Sequence, residues 1–328
     1  PSGLADERDS YLYKFAAFHE DMHTEAFTWA RQTLAYPRPK FANFELPADA
    51  DAGALEGDTE VPGGRFQLGS ETGTRFVYDN EKWAHTVQIE PFRISRAAVT
   101  NAEFAGFVDD GGYERGQYWD TDGWAWRMEN AAKHPVYWVR DAGGDVTGGW
   151  GMRHFDTLAI LQPHRAIVHV NWYEASAYCR WAGRRLPAEA EWAAAALGEP
   201  TADGAGLAET KRTFPWGDEA PEKRHANMDG RALGCVDVAA HAEGDSAFGC
   251  RQMMGNVWEW TATTFEPFAG FAPDDYAEYS APLFGNTKVL RGGGWATRRR
   301  MLNGRYRNFF GPDRRDVIAG FRTCTSKG

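Results

Sequence analysis

The sequence predicts a loop-rich, aromatic-packed fold of mixed helices and short strands, entered through one long helix. Three observations point there. The 328 residues include 14 tryptophans and 36 glycines, a composition that suits neither a helical bundle nor a doubly wound sheet. The strand-like runs are short and are separated by Gly, Pro and Asp. Residues 11–36, by contrast, keep a polar/apolar helical pattern without a single Gly or Pro.

Composition excludes several function classes. An apolar content of 43% is ample for a core, and no run approaches the length needed to span a bilayer. The length exceeds one typical domain, although a large single domain is possible. A net charge of −10 argues against general nucleic-acid binding. Cys179, Cys235, Cys250 and Cys324 form no CxxC, so a zinc ribbon is excluded and no disulfide is required. No signal peptide is present and the chain begins at Pro1, which reads as a processed or truncated start; a reducing cytoplasm is the default expectation.

Within the first helix, His19 and His23 stand at i and i+4 and project from one face about one turn apart. Two imidazoles so placed suit a transition metal, and Glu25 adds a carboxylate just beyond them. The plainer alternative is an amphipathic helix with two partly buried histidines. His19-Glu20-x-x-His23 also spells the zincin signature, with Glu20 as general base. A zinc metalloprotease needs a third ligand downstream, however, and the next histidine of any kind is His85.

Residues 37–60 change character. Pro37, Pro39 and Pro47, followed by an Ala/Asp/Gly run over residues 48–57, predict a linker. The expected division is therefore a helical segment over 1–45, a linker over 46–60 and a main domain over 61–328. In that domain residues 61–69 read as a turn and a short strand, and residues 87–94 alternate as one strand. Val99-Thr100-Asn101 caps a short helix over 102–108. Residues 111–151 are rich in Trp, Gly and Asp with little periodicity and read as irregular loops. An apolar strand over 166–171 leads into an amphipathic helix over 172–181, and a further helix opens around Pro187 with carboxylates in its first turn. Residues 214–217 (Phe-Pro-Trp-Gly) form a turn, and short segments at 254–261, 289–295 and 319–322 close the chain.

These segments carry a specific series: Pro62-Gly63-Gly64, Val99-Thr100-Asn101, Asn171-Trp172, the run from Arg185-Leu186-Pro187 to Glu191-Trp192, Pro215-Trp216-Gly217, the run from Gly255-Asn256 to Trp260, Arg291-Gly292-Gly293 and Gly320-Phe321-Arg322. In this order they resemble the formylglycine-generating-enzyme (sulfatase-modifying-factor) superfamily from Val61 to Arg322. The resemblance implies an α+β, C-type-lectin-like fold with little regular structure, a fold that carries several chemistries. The formylglycine-generating enzymes use two copper-binding cysteines just after Arg-Gly-Gly. Here residues 295–303 contain no cysteine, which argues against that chemistry.

The branch that fits resembles the ergothioneine sulfoxide synthases and their selenoneine-forming relatives, in which part of a DinB-like helical bundle precedes the lectin-like domain. His19, His23 and Glu25 match its His-x-x-x-His-x-Glu helix. The resemblance implies an iron(II) enzyme that takes O2 as co-substrate and joins a chalcogen to C2 of the imidazole of hercynine. It also implies a third histidine ligand on an earlier helix, before residue 1. Asn308, Phe309, Phe310 and Arg314 match its substrate-binding segment, with Arg315 as a structural ion pair. Tyr276, or its rival Tyr279, matches its loop tyrosine as proton donor, and Glu25 is expected to orient a ligating imidazole. Phe309 and Phe310 are expected to wall the trimethylammonium. Where γ-glutamylcysteine-using enzymes carry Asn-Trp-Asp, this chain reads Asn308-Phe309-Phe310, and Phe310 cannot accept a hydrogen bond from an ammonium group. That favours a seleno-sugar donor and selenoneine synthesis, with an ergothioneine-type sulfoxide synthase using γ-glutamylcysteine or cysteine as the second reading. A non-catalytic lectin-like binding module is the third. Arg298 to Arg300 read as a solvated basic run.

Overall fold

The computed structural model describes residues 10–74, 76–140 and 149–326; residues 141–148, within the stretch predicted as irregular, lie outside the described residues. The chain opens with α1 (Tyr11–Thr33), then β1 (Asp58–Val61), β2 (Gly64–Leu68), β3 (His85–Ile89), β4 (Phe92–Ser95), α2 (Asn101–Asp109) and α3 (Thr121–Glu129). It continues through β5 (Trp138–Arg140), β6 (Trp150–His154), β7 (Thr157–Ile160), α4 (Trp172–Trp181), β8 (Arg184–Arg185), α5 (Glu189–Leu197), β9 (Gly198–Pro200) and β10 (Leu207–Lys211). Last come β11 (Trp258–Thr264), β12 (Lys288–Arg291), β13 (Asn308–Phe310), β14 (Ala319–Gly320) and β15 (Cys324–Thr325). No described helix is long and apolar enough to cross a membrane.

Five small sheets replace one large one. Those that position the site are β13-β12-β11-β14 and β1-β4-β15-β8. The strands are short because turns and glycines interrupt them, so burial is supplied by aromatic side chains between sheets and helices. Trp138, Trp192, Trp258 and Trp260 are all fully buried. Buried ion pairs join the layers: Glu189 holds both Arg291 and Arg307, and Glu259 holds Arg322 and the Trp192 indole. These five buried charges are paired, which offsets the cost of taking them out of water.

Local chemistry explains most boundaries. Thr100 and Asn171 each accept from the backbone three residues on, while Glu103 and Glu174 reach back, so α2 and α4 begin at capping boxes. α1 ends at Thr33 rather than running on to Tyr36, with Ala35 left-handed and Pro37 following.

Three expectations are corrected. Residues 87–94 form two strands in different sheets, because Pro91 between them offers no N–H to a ladder. Residues 111–151 contain α3, capped by Asp120 accepting from the Gly123 N–H, together with β5 and the start of β6. Residues 166–171 form no strand. Their apolar character reflects burial on all sides, and His169 is left-handed at φ 62°, which breaks the extended run. As for the stretch read as a linker, β1 takes up its last residues, and Asp49, Ala50 and Gly53 hydrogen-bond to His241 and Asp237.

His169 is buried, and that burial pushes its imidazole down from 6.5 to about 4. The folded protein therefore holds this proton more weakly than the unfolded chain does. Stability is complete above pH 6.5 and falls as the pH drops towards 4, by on the order of 3 kcal/mol from this group. Thermal unfolding at pH 7.5 and pH 5 should show a larger loss for the wild type than for His169→Asn, which tolerates the left-handed backbone.

Candidate active site between helix α1 and the β13 sheet

Helix α1 meets the domain through a polar stripe. Asp21, Glu25, Thr28 and Gln32, spaced three or four apart, are buried, whereas Tyr13 is 81% and Phe27 72% exposed. Such a stripe is stable only if every polar atom finds a partner. Glu25 Oε1 accepts from Trp258 Nε1 at 2.7 Å and Oε2 from Thr297 Oγ1 at 2.6 Å. Asp21 takes Arg300 bidentately at 2.5 and 3.0 Å. Gln32 donates to the Arg153 carbonyl at 2.8 Å and accepts from the Phe155 N–H at 2.5 Å. Burial pushes the Glu25 carboxyl above its ordinary range, and its two hydrogen bonds pull it back.

This clamp gives Glu25 a different role from the expected one. Both its oxygens are taken by the lectin-like domain, so it fixes the helix rather than orienting an imidazole. Arg299 and Arg300 are exposed, as the solvated-run reading expects, but Arg300 also holds Asp21, and Arg298 lines the cavity described next.

With the helix fixed, His19 and His23 lie on its edge beside the domain, ring centroids 4.4 Å apart and inclined at 52°. Burial and the neighbouring His23 push the His19 imidazole down, which favours the neutral, metal-binding form. Two nitrogen donors thus fit as part of a transition-metal ligand set. Among the described residues no group of three His, Cys, Asp or Glu side chains is placed to hold a metal, so the third ligand a zincin needs is not supplied by them.

A cavity of about 190 Å³ opens beside His23, walled by Met22, Trp29, Trp258, Tyr306, Asn308 and Phe310. β13 brings its last two walls there. It pairs antiparallel with β12, Leu290 opposite Asn308 and Lys288 opposite Phe310, so Asn308 and Phe310 share one face. Phe309 points the other way and stacks on Phe265 at 4.1 Å, a core role, while still contributing to the cavity wall. Phe310 meets Trp29 edge to face at 5.6 Å.

Arg314 does not line the cavity. It is held bidentately by Asp316 at 2.6 and 2.8 Å, with its guanidinium 5.1 Å from the Phe310 ring. Arg315 pairs with the buried Glu174 at 3.0 Å. Tyr276 sits outside the cavity, 6.3 Å from the His19 ring and 38% exposed. Tyr279 lines it, 3.9 Å from the Met22 sulfur, and burial pushes its phenol well above the usual range. The sequence reading assigned no role to Trp29, Trp258, Thr297 or Tyr306. Trp258 and Thr297 fall inside conspicuous segments, yet nothing in the sequence marks them as contacts of α1.

All four cysteines are buried and free, and burial raises their thiols, Cys235 and Cys324 to about 12. None lines this cavity. A wider groove of about 500 Å³ between residues 45–49 and 223–243 brings together none of the predicted residues, and its Lys223, Arg224 and Arg231 are already paired with carboxylates. The smaller cavity is the better candidate because it adjoins the histidine pair.

Residues 43–327 match the sulfatase-modifying factor enzyme 1-like domain. A hercynine oxygenase of Mycolicibacterium smegmatis is 38% identical over 97% of this chain and 72% of its own length. A formylglycine-generating enzyme of Streptomyces coelicolor is 32% identical over 80% of this chain and 85% of its own. The structure of PvdO from Pseudomonas aeruginosa superposes with a TM-score of 0.52 at 22% identity, covering 84% of this chain and 99% of that one, a likeness of fold.

Replacing Glu25 tests the clamp. Glu25→Ala should lower the stability of the folded chain by about 2–3 kcal/mol, because Trp258 and Thr297 lose a buried partner. Glu25→Gln, which can still meet both groups, should lose less than half of that in denaturant unfolding.

Proposed function

The chain belongs to the sulfatase-modifying factor enzyme 1-like family, and on that premise we propose that it is an iron(II)- and O2-dependent enzyme acting on hercynine. The supporting observation is that His23, whose ring lies beside that of His19, and the Asn308–Phe310 strand line one cavity. The hercynine oxygenase relative, matched over nearly the whole of this chain, supports the substrate. His19 and His23 supply two of the three imidazoles that the family resemblance implies, and α1 is read as part of a helical-bundle domain.

Bound iron would supply O2 activation. With a thiol donor the reaction balances simply: the imidazole C2–H and S–H bonds break, a C–S bond forms, and O2 ends as one sulfoxide oxygen and one water. The chain's own residues position the reactants. Asn308 keeps its side-chain N–H group available for the hercynine carboxylate, since its oxygen accepts from the Phe309 N–H at 3.0 Å. The faces of Trp29, Tyr306 and Phe310 suit a trimethylammonium. Tyr279, which lines the cavity, and Tyr276, beside the His19 ring, are the two candidate proton donors; burial makes the Tyr279 phenol the weaker acid.

The donor follows from Phe310. An apolar ring walled by Trp29 offers a peptide ammonium no acceptor, which favours a seleno-sugar selenol: its Se–H and the imidazole C2–H bonds break, a C–Se bond forms, and O2 ends as one selenoxide oxygen and one water. An ergothioneine-type sulfoxide synthase using γ-glutamylcysteine or cysteine is the second reading, favoured by the hercynine oxygenase relative.

Anaerobic iron(II) loading followed by O2, hercynine and each donor in parallel, with products read by mass spectrometry, decides between them. A selenium-bearing hercynine adduct formed only with the seleno-sugar is the expected result; a sulfoxide from a cysteine-type thiol would establish the second reading. His19→Ala or His23→Ala should abolish iron loading. Phe310→Asp should shift the ratio of kcat/KM values towards γ-glutamylcysteine by about ten-fold or more, and no shift would remove Phe310 as the selector.

A further inference from the structure

Segment 76–82 contacts α1, the tyrosine loop and the residues that lead into β13. Phe76 stacks on Phe18 of α1 at 4.9 Å, and Tyr78 stacks on Tyr279 at 4.9 Å and on Tyr306 at 5.5 Å. The backbone of this segment is in turn held by the strand leading to Asn308: Arg307 donates to the Asn80 carbonyl at 2.8 Å and Arg305 to the Phe76 carbonyl at 2.9 Å.

The same segment grips the tyrosine loop at both ends. At one end Lys82 Nζ takes Asp274 at 2.5 and 2.7 Å, with both side chains only about one-fifth exposed. At the other, the fully buried Ser280 hydroxyl donates to Asp79 Oδ1 at 2.5 Å and accepts from Asn80 Nδ2 at 2.9 Å. Tyr276 and Tyr279 lie between these two anchors. A loop of seven residues would sample many conformations if free, and fixing its ends removes most of that freedom.

We propose that Asp79, Lys82, Asp274 and Ser280 are positioning residues that hold the tyrosine loop against the histidine helix. They act by fixing the loop, and Asp274 also meets Tyr11 at the start of α1; none of the four lines the cavity. The structural part stands on these contacts alone; its bearing on turnover rests on the function proposed above. A 1 Å displacement of a proton donor can cost a large factor in rate while leaving ground-state binding nearly intact. Loosening either anchor should therefore lower kcat rather than raise KM.

The test uses Lys82→Met and Ser280→Ala, with Lys82→Arg as the conservative control, in the iron-loaded protein. Hydrogen exchange of the 272–280 peptide should rise by about five-fold or more in Lys82→Met and Ser280→Ala, with the α1 peptide unchanged. With hercynine and the active donor, kcat should fall by about ten-fold or more while KM stays within about two-fold and iron content is unaltered. Lys82→Arg should restore both readouts. Unchanged exchange in both variants, or a parallel loss of iron and stability, would overturn the assignment. Raised exchange in a protein whose wild type does not act on hercynine would sink the proposed function while leaving the loop anchors in place.

Discussion

A buried carboxylate with only neutral partners holds the candidate site together. Glu25 sits 6% exposed between the Trp258 indole and the Thr297 hydroxyl, both of which belong to the domain. Burying such a group unpaired would cost several kcal/mol, so the helix docks only where both donors meet it. That requirement fixes the helix in depth, and Asp21 with Arg300 and Gln32 with Phe155 fix its rotation and its far end. The histidines two and six residues before Glu25 inherit their positions from the clamp.

The same contact shows how one fold can host a different chemistry. The segment following Arg291-Gly292-Gly293 supplies Thr297 and Arg300 as anchors for a helix and Arg298 as part of the cavity wall. Without thiols there, the function proposed above draws its reactive groups from α1, from β13 and from the tyrosine loop. Segment 76–82 contacts α1, the tyrosine loop and the residues that lead into β13.

Much of this was legible in the sequence, and the exceptions have physical causes. Helices with capping boxes, such as α2 and α4, announce themselves because their caps are local. The His19/His23 pair was visible for the same reason, since spacing on a helix is a local property. The clamp was not, because Glu25 and Thr297 are 272 residues apart and a lone Thr or Trp carries no mark of its partner. α3 was missed because it is only nine residues long and lies in a stretch whose tryptophans and glycines obscure any period. Residues 166–171 misled in the opposite direction: their apolar run signals burial, which a strand and an irregular core segment share. Arg314 was read as a substrate-binding residue, but it lies outside the cavity, and its engagement by Asp316 depends on side-chain geometry that a motif does not encode.

The most direct test of the account is an anaerobic structure of the protein with iron(II) and hercynine bound. The account predicts metal density at the His19 and His23 imidazoles. It also predicts the hercynine ring in the cavity walled by Trp29, Tyr306, Asn308 and Phe310, with its carboxylate at Asn308. Iron held away from the histidine pair, or hercynine seated in the groove between residues 45–49 and 223–243, would contradict it.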